Sequence, residues 1–212
     1  AIFRDMEAAA KRLADALQAD ETITIFGDYD VDGATSAALL VRLLRELGRE
    51  PGVYIPDRLM EGYGPSGEAL VRLAQAGSQL IVTVDCGAQA FEALDMAREA
   101  GVDVIVVDHH KCASTLPAAF ALVNPNRLDE THDAAAHGHL AAVGVAFLLG
   151  AALIRELRSR GWFTVRAEPK LLDLLDLVAL GTVADVAQLR GLNRAFVAQG
   201  LTVMAQGRNV GL

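Results

Sequence analysis

Three apolar runs of strand length in this chain each end in acid. Thr24-Ile25-Phe26-Gly27 leads into Asp28-Tyr29-Asp30-Val31-Asp32-Gly33, Leu80-Ile81-Val82-Thr83-Val84 into Asp85-Cys86-Gly87, and Val102-Asp103-Val104-Ile105-Val106-Val107 into Asp108-His109-His110. Short β-rich runs closed by turn residues read as buried strands, and helix-period segments between them imply a parallel sheet with helices on its faces. Ligands of such sheets bind beyond the carboxyl ends of the strands, so acids far apart in sequence converge at one edge.

Strands are predicted at 22–27, 51–55, 80–84, 103–107 and 119–123, with helices near 34–47, 66–76 and 89–99. An earlier helix over 6–17 places Met6, Ala9, Ala10, Leu13 and Leu17 on one face, expected to pack over the first strand. Residues 126–138 lack a period and read as a loop. Helices follow near 140–160, 168–180 and 192–206, with Gly161-Trp162-Phe163 as a turn and aromatic anchor. The expected fold class is α/β: an open, mostly parallel five-stranded sheet flanked by helices, followed by a helical lobe. Residues 1–212 are expected to form one domain, about 1–138 being the sheet core and about 139–212 the lobe and the start of an interdomain connector.

With 212 residues and 52% hydrophobic content, the chain has enough apolar material for a sizeable core. Its 27 acidic and 19 basic residues give a net charge of -8, which argues against a broadly basic nucleic-acid surface but permits a local phosphate site beside metal. Two cysteines are too few for a disulfide framework, and no apolar run approaches a membrane span. Ala1-Ile2-Phe3-Arg4-Asp5 lacks the basic and apolar regions of a signal peptide. The expectation is a cytoplasmic protein with no membrane partner.

Asp30 and Asp32 alternate after the first strand, where Gly27 and Gly33 permit tight turns and Asp28 is placed to ligate or orient the others. Turns favour aspartate without any metal, but here strand and glycines flank the pair. Asp85, His109 and Asp185 add a strand-end carboxylate, an imidazole and a carboxylate beyond an apolar helix and a glycine-containing turn. Several carboxylates with imidazole suit Mn²⁺ or Mg²⁺, whereas zinc more often recruits thiolate. Cys86 is expected to pack, since the side chain next to Asp85 points to the opposite face. Arg58 is a candidate phosphate clamp through its two-pronged guanidinium, the alternative being a surface pair with Glu61. Lys111, Arg127, His137 and His139 are weaker candidates for phosphate or DNA contact.

The segments 26–33, Thr83-Val84-Asp85-Cys86-Gly87, Asp108-His109-His110 and 179–186 together resemble the DHH phosphoesterase superfamily, in its branch of bacterial single-strand-specific DNA exonucleases. Ile55-Pro56-Asp57-Arg58, Glu61-Gly62-Tyr63-Gly64, Asn124-Pro125-Asn126-Arg127 and 142–147 extend the resemblance to nearly the whole chain. It implies that Asp30, Asp32, Asp85, His109 and Asp185 are metal ligands, with Asp85 bridging two Mn²⁺ or Mg²⁺ ions. His110 becomes a catalytic partner on the metal or phosphate side, and Asp28 takes the outer acidic position. The implied activity is 5′-to-3′ hydrolysis of single-stranded DNA by metal-activated water. The alternative is a small-molecule or short-oligonucleotide phosphoesterase or pyrophosphatase. Many of those carry a metal-binding histidine where this chain has Phe26, which favours the exonuclease branch. Ala187-Gln188 departs from the family's usual valine-proline. The implied partners are single-stranded DNA with an accessible 5′ end, further C-terminal domains that contribute binding, and DNA-repair proteins.

Overall fold

The computed structural model describes residues 3–211; Ala1 and Ile2 of the segment read for a leader, and Leu212, lie outside them. Five strands, β1 (Ile23–Gly27), β2 (Gly52–Tyr54), β3 (Leu80–Val84), β4 (Asp103–Val107) and β5 (Ala121–Val123), pair in parallel in the order β2-β1-β3-β4-β5. Parallel neighbours require crossovers. Helices α2 (Val31–Glu46), α3 (Gly67–Gln75) and α4 (Phe91–Glu99) supply three of these, and α1 (Met6–Ala19) precedes the sheet.

Alternation along the strands divides the core in two. Ile25, Val82 and Ile105 face α1, α2 and α6 (Ala142–Ser159), while Ile81, Val104, Val106 and Leu122 face Leu70 of α3 and Leu94 of α4. Both faces are covered, which explains why the strands read as continuous apolar runs.

Register places the acids. Gly27 pairs with Val84, Val84 with Val107 and Val107 with Val123, so the next residues, Asp28, Asp85, Asp108 and Asn124, stand in a row. Backbone N–H groups of Asp28, Asp85 and Asp108 donate to the carbonyls of Val84, Val107 and Val123 at 3.2, 2.9 and 3.1 Å, extending the ladder one residue past the strands.

Several elements differ from expectation. Helix α2 begins at Val31 because Asp30 accepts from Gly33 N at 2.9 Å and caps it, so Asp32 sits in a helical turn rather than in a loop alternating with Asp30. Helix α1 buries the expected face but packs chiefly on α6 and β5, since α2 covers β1. Within 126–138 the structure forms a short helix, α5 (His132–Ala135), capped by the Thr131 side chain. The segment expected as a helix over 168–180 begins as a 3-10 turn, Leu171–Leu174, and continues as α7 (Leu175–Ala184). Gly181 is therefore inside a helix, not in a turn.

The C-terminal helical region stacks outward from the sheet. Helix α6 shares the core of α1 and α2, α7 packs on α2 and α6, and α8 (Gly191–Met204) packs on α7. Trp162 and Phe163 lean on this core from a 3-10 turn. Among the described residues no helix is long and apolar enough to cross a membrane.

Candidate metal centre

The sheet order reverses direction between β1 and β3, and the loops leaving these strands open the crevice in which acids gather. One ligand atom each from Asp28, Asp30 and Asp85 lie within 4.8 Å of one another, as do atoms of Asp32, His109 and Asp185, and of Asp85, His109 and His110. The first two groups meet where His109 Nε2 stands 3.3 Å from Asp85 Oδ1 and 3.8 Å from Asp32 Oδ2.

Each side chain is aimed by its backbone or by a neighbour. Asp32 accepts from the first N–H groups of α6, Oδ2 from Ala142 at 2.7 Å and Oδ1 from Val143 at 2.9 Å, where the helix dipole favours a negative charge. His109 Nδ1 lies 3.0 Å from the Leu140 carbonyl. A proton on Nδ1 donated to that carbonyl leaves the Nε2 lone pair facing the acids. Asp85 adopts a left-handed backbone, φ 61°, which turns its carboxylate into the crevice. Asp185 ends α7, which lies against α2 and brings it beside Asp32 and His109.

Asp108, overshadowed in the sequence by the histidines after it, is the hub beneath them. It accepts from the backbone N–H of Ala88, His109 and His110, and holds His110 Nδ1 at 2.7 Å. Tyr63, quoted in the sequence only as part of a motif, places its hydroxyl 3.2 Å from His110 Nδ1 and 3.2 Å from the Asp85 carbonyl. Asn124 and Asn126 donate to the carbonyls of His110 and His109. Amide side chains after a short strand are a weak sequence signal, because turns favour them as well.

The electrostatics describe an acid-rich crevice whose counter-charges are the imidazoles of His109 and His110. Burial pushes Asp85 up to about 8 and Asp32 up to about 6, and raises Asp28 and Asp185 above the usual carboxylate range. Burial works against a charged His109, but Asp85, Asp32 and Asp185 prevail and raise it to about 9. Asp108 is depressed despite its burial because His110 hydrogen-bonds to it, and His110 is raised by the same contact. Asp28 Oδ1, Asp85 Oδ1 and His109 Nε2 are buried without a hydrogen-bond partner. Orphaned oxygen and nitrogen donors converging on one crevice fit a hard or borderline divalent cation.

The remaining candidates separate by position. Arg58 is exposed with its guanidinium 5.3 Å from the Tyr29 ring centre, while Glu61, its alternative partner, is taken by Tyr54 and Arg72. Lys111 is exposed beside His110 in sequence. His139 lines a cavity of about 480 Å³ with His109, Asp185, Gln188 and Arg190, and a second cavity of about 440 Å³ lies along Tyr63, Gln89 and His110. His137 is half-buried, edge-on to Phe3. Arg127 is buried, with its guanidinium bound to Asp5, Asp129 and the Leu122 carbonyl, so it ties the approach to α1 onto β5 and has no free face for phosphate. Phe26 is buried against Tyr54, ring centres 5.2 Å apart, and supplies no ligand. Cys86 packs in the α3–α4 core as expected, although it lies two residues beyond β3 and not in a strand.

The model of the DHH family, N-terminal domain, matches residues 22–182. The chain belongs to the DHH family. It is 48% identical over 203 residues to the single-stranded-DNA-specific exonuclease RecJ of Dickeya dadantii, covering 94% of this chain and 35% of that protein. A crystal structure of exonuclease RecJ bound to manganese superposes with a TM-score of 0.80 at 39% identity, over 95% of this chain and 49% of the other. The RecJ structure from Thermus thermophilus in complex with Mn²⁺ gives 0.75 at 36% identity, over 94% of this chain and 27% of the other. This DHH-family domain is thus closely related to the matching part of bacterial RecJ, and spans about a third of the length of the curated relatives it matches.

Proposed function

We propose that this chain is the catalytic part of a metal-dependent exonuclease that degrades single-stranded DNA from its 5′ end, hydrolysing phosphodiesters with water. Its principal support is the pair of ligand groups joined through Asp85 and His109, in a chain whose relatives are single-strand-specific exonucleases and whose structural neighbours hold manganese. Asp28, Asp30 and Asp85 would hold one Mn²⁺ or Mg²⁺ ion, and Asp32, His109 and Asp185 a second, with Asp85 shared between them. Such ions supply charge for the phosphoryl and leaving oxygens and lower the pKa of water.

The chain's own residues do the rest. Asp108 holds His110 through Nδ1 and leaves its half-exposed ring at the mouth of the crevice, where it can donate to a phosphate oxygen. Tyr63, its hydroxyl pushed upward by burial, stays a neutral donor beside it. Arg58, stacked on Tyr29 and free of Glu61, offers paired N–H groups to an incoming phosphate. Lys111 and His139 are placed for weaker contacts with the strand. A cytoplasmic setting and DNA-repair partners accord with this activity.

The test is product analysis in Mn²⁺ on 5′-labelled and 3′-labelled single strands, duplex DNA, dinucleotides and pyrophosphate. Stepwise release from the 5′ end of single strands, with little turnover of pyrophosphate, is the expected outcome. Faster turnover of dinucleotides or pyrophosphate than of strands would transfer the same site to the small-molecule alternative.

A further inference from the structure

Asn193 lies in the first turn of α8, completely buried, and its Nδ2 donates to two carbonyls: His139 at 2.6 Å and Gln188 at 3.1 Å. An amide NH₂ has two protons, which match two acceptors. Both acceptors belong to segments that carry the second ligand group. His139 precedes Leu140, whose carbonyl orients His109, and Gln188 closes the turn that follows Asp185.

That turn is strained. Val186 has φ 58°, a left-handed conformation that a β-branched residue rarely adopts, and it is 87% exposed, so packing does not hold it there. What holds it is hydrogen bonding. Val186 N donates to Val183 at 3.1 Å, Ala187 N to Thr182 at 3.2 Å, and the Gln188 carbonyl is then fixed by Arg190 N at 2.9 Å and by Asn193. Gly191, φ 49°, lets α8 start close to His139: a Cβ at this position would lie 3.2 Å from His139 Nε2.

We infer that Asn193 is a positioning residue for the metal centre: its amide clamps the His139 carbonyl to the Gln188 carbonyl, holding the strained turn after Asp185 against the segment that orients His109. The clamp touches neither metal nor substrate. It rests on the metal-centre assignment proposed above, and acts through the backbone on two of its ligands.

The test is Mn²⁺ binding to the full chain by calorimetry, well below the unfolding temperature of every variant. Asn193→Ala is expected to weaken Mn²⁺ binding about ten- to a hundredfold, the range found when a residue supporting a ligand is lost. Asn193→Ser, which keeps one hydroxyl donor, is expected to fall between, and it carries the test if the alanine variant does not fold. Val186→Gly removes the left-handed penalty. Added to either Asn193 variant it should recover part of the lost affinity, which a merely destabilised fold would not allow. Unchanged Mn²⁺ affinity in a folded Asn193 variant, or a loss that Val186→Gly does not recover, would overturn the clamp. Asp32→Asn separates the two levels: if it leaves Mn²⁺ binding intact the metal-centre assignment itself fails, whereas if it weakens binding and Asn193→Ala does not, only the clamp fails.

Discussion

Asp85 is a buried carboxylate on a left-handed backbone, and its nearest cationic partner is an imidazole that the other acids also claim. Without a cation such a site retains protons. Asp85 near 8 and Asp32 near 6, against an ordinary 3.8, and His109 near 9, against 6.5, all bind protons more tightly folded than unfolded. Each such group stabilises the fold fully below its unfolded value and loses that contribution as pH rises through its folded one. The metal-free Tm should therefore fall from about pH 4 to about pH 9, with Asp32 contributing up to about 6, Asp85 up to about 8 and His109 from 6.5 to about 9, and excess Mn²⁺ should offset most of the fall. Melting curves in chelator and in Mn²⁺ across that range check this; a metal-free Tm that is flat or rising would contradict it. Asp85→Asn removes the shared charge, so it should weaken Mn²⁺ binding by more than about tenfold, the lower end of what losing even a supporting residue costs. It should also flatten the pH dependence of Tm. Arg58→Ala, acting on phosphate rather than metal, should weaken strand cleavage while leaving Mn²⁺ affinity in place. Unchanged strand cleavage in the folded variant would make Arg58 a surface or structural residue.

At the scale of elements, two ligands double as structural devices, and variants can separate the roles. Asp30 caps α2 through Gly33 N while offering its carboxylate to the first ligand group. Asp30→Ala should cost about 1 kcal/mol of stability as well as metal affinity, whereas Asp30→Ser keeps the cap and should lose metal affinity alone. Thermal melts beside Mn²⁺ titrations distinguish them, and equal melting temperatures for the two would show that the cap contributes nothing. Asp32, the other, ties α2 to the start of α6, and Gly181 sets the distance at which α7 joins them. A Cβ at Gly181 would lie 2.3 Å from Thr35 Oγ1, 2.9 Å from Val143 Cγ1 and 3.1 Å from Asp32 Oδ1. Alanine gains about 1 kcal/mol of helix propensity over glycine, but overpacking of this kind costs about 1–3 kcal/mol. Gly181→Ala should therefore destabilise the fold and push Asp32 from its seat, a loss that Thr35→Ala would partly relieve. The strand ends are legible in the sequence because buried parallel strands read as unbroken apolar runs, and register then aligns Asp28, Asp85 and Asp108. The start of α2 is not legible, since Val31, Asp32 and Gly33 are poor helix formers and only the cap reveals it. Gly181 reads as a turn because a close approach between helices leaves the same local mark as a break. Asp108 is legible as a strand-end acid, but its role beneath the histidines is not, because it depends on how the backbone turns after β4 to bring the N–H groups of His109, His110 and Ala88 and the His110 ring onto one carboxylate.

For the whole molecule, the net charge of -8 limits what the chain can hold by itself. Affinity for a nucleic-acid strand draws mainly on cations spread along its phosphates. Near the site, the exposed cationic side chains described above are Arg58, Lys111 and Arg190, while Arg127, a sequence candidate for the same task, is bound to Asp5 and Asp129. Other arginines, including Arg45, Arg98, Arg155, Arg158 and Arg160, are paired with acids elsewhere on the surface. Metal ions would fix the reacting phosphate, but among the described residues the exposed cations near the site are few for gripping a long strand. Binding of 5′-labelled oligonucleotides in Mn²⁺, with turnover blocked by phosphorothioate linkages, should therefore gain little affinity beyond about four nucleotides, the low end of the length that a dedicated single-strand groove covers. Cleavage should release a strand after few steps, giving a ladder of intermediate lengths. The matching experiment on a relative of full length supplies the contrast, because this chain corresponds to about a third of it. Affinity that climbs steadily with oligonucleotide length, or digestion as processive as the full-length relative's, would place a strand-gripping surface within residues 3–211 and overturn the expectation that further domains contribute the binding.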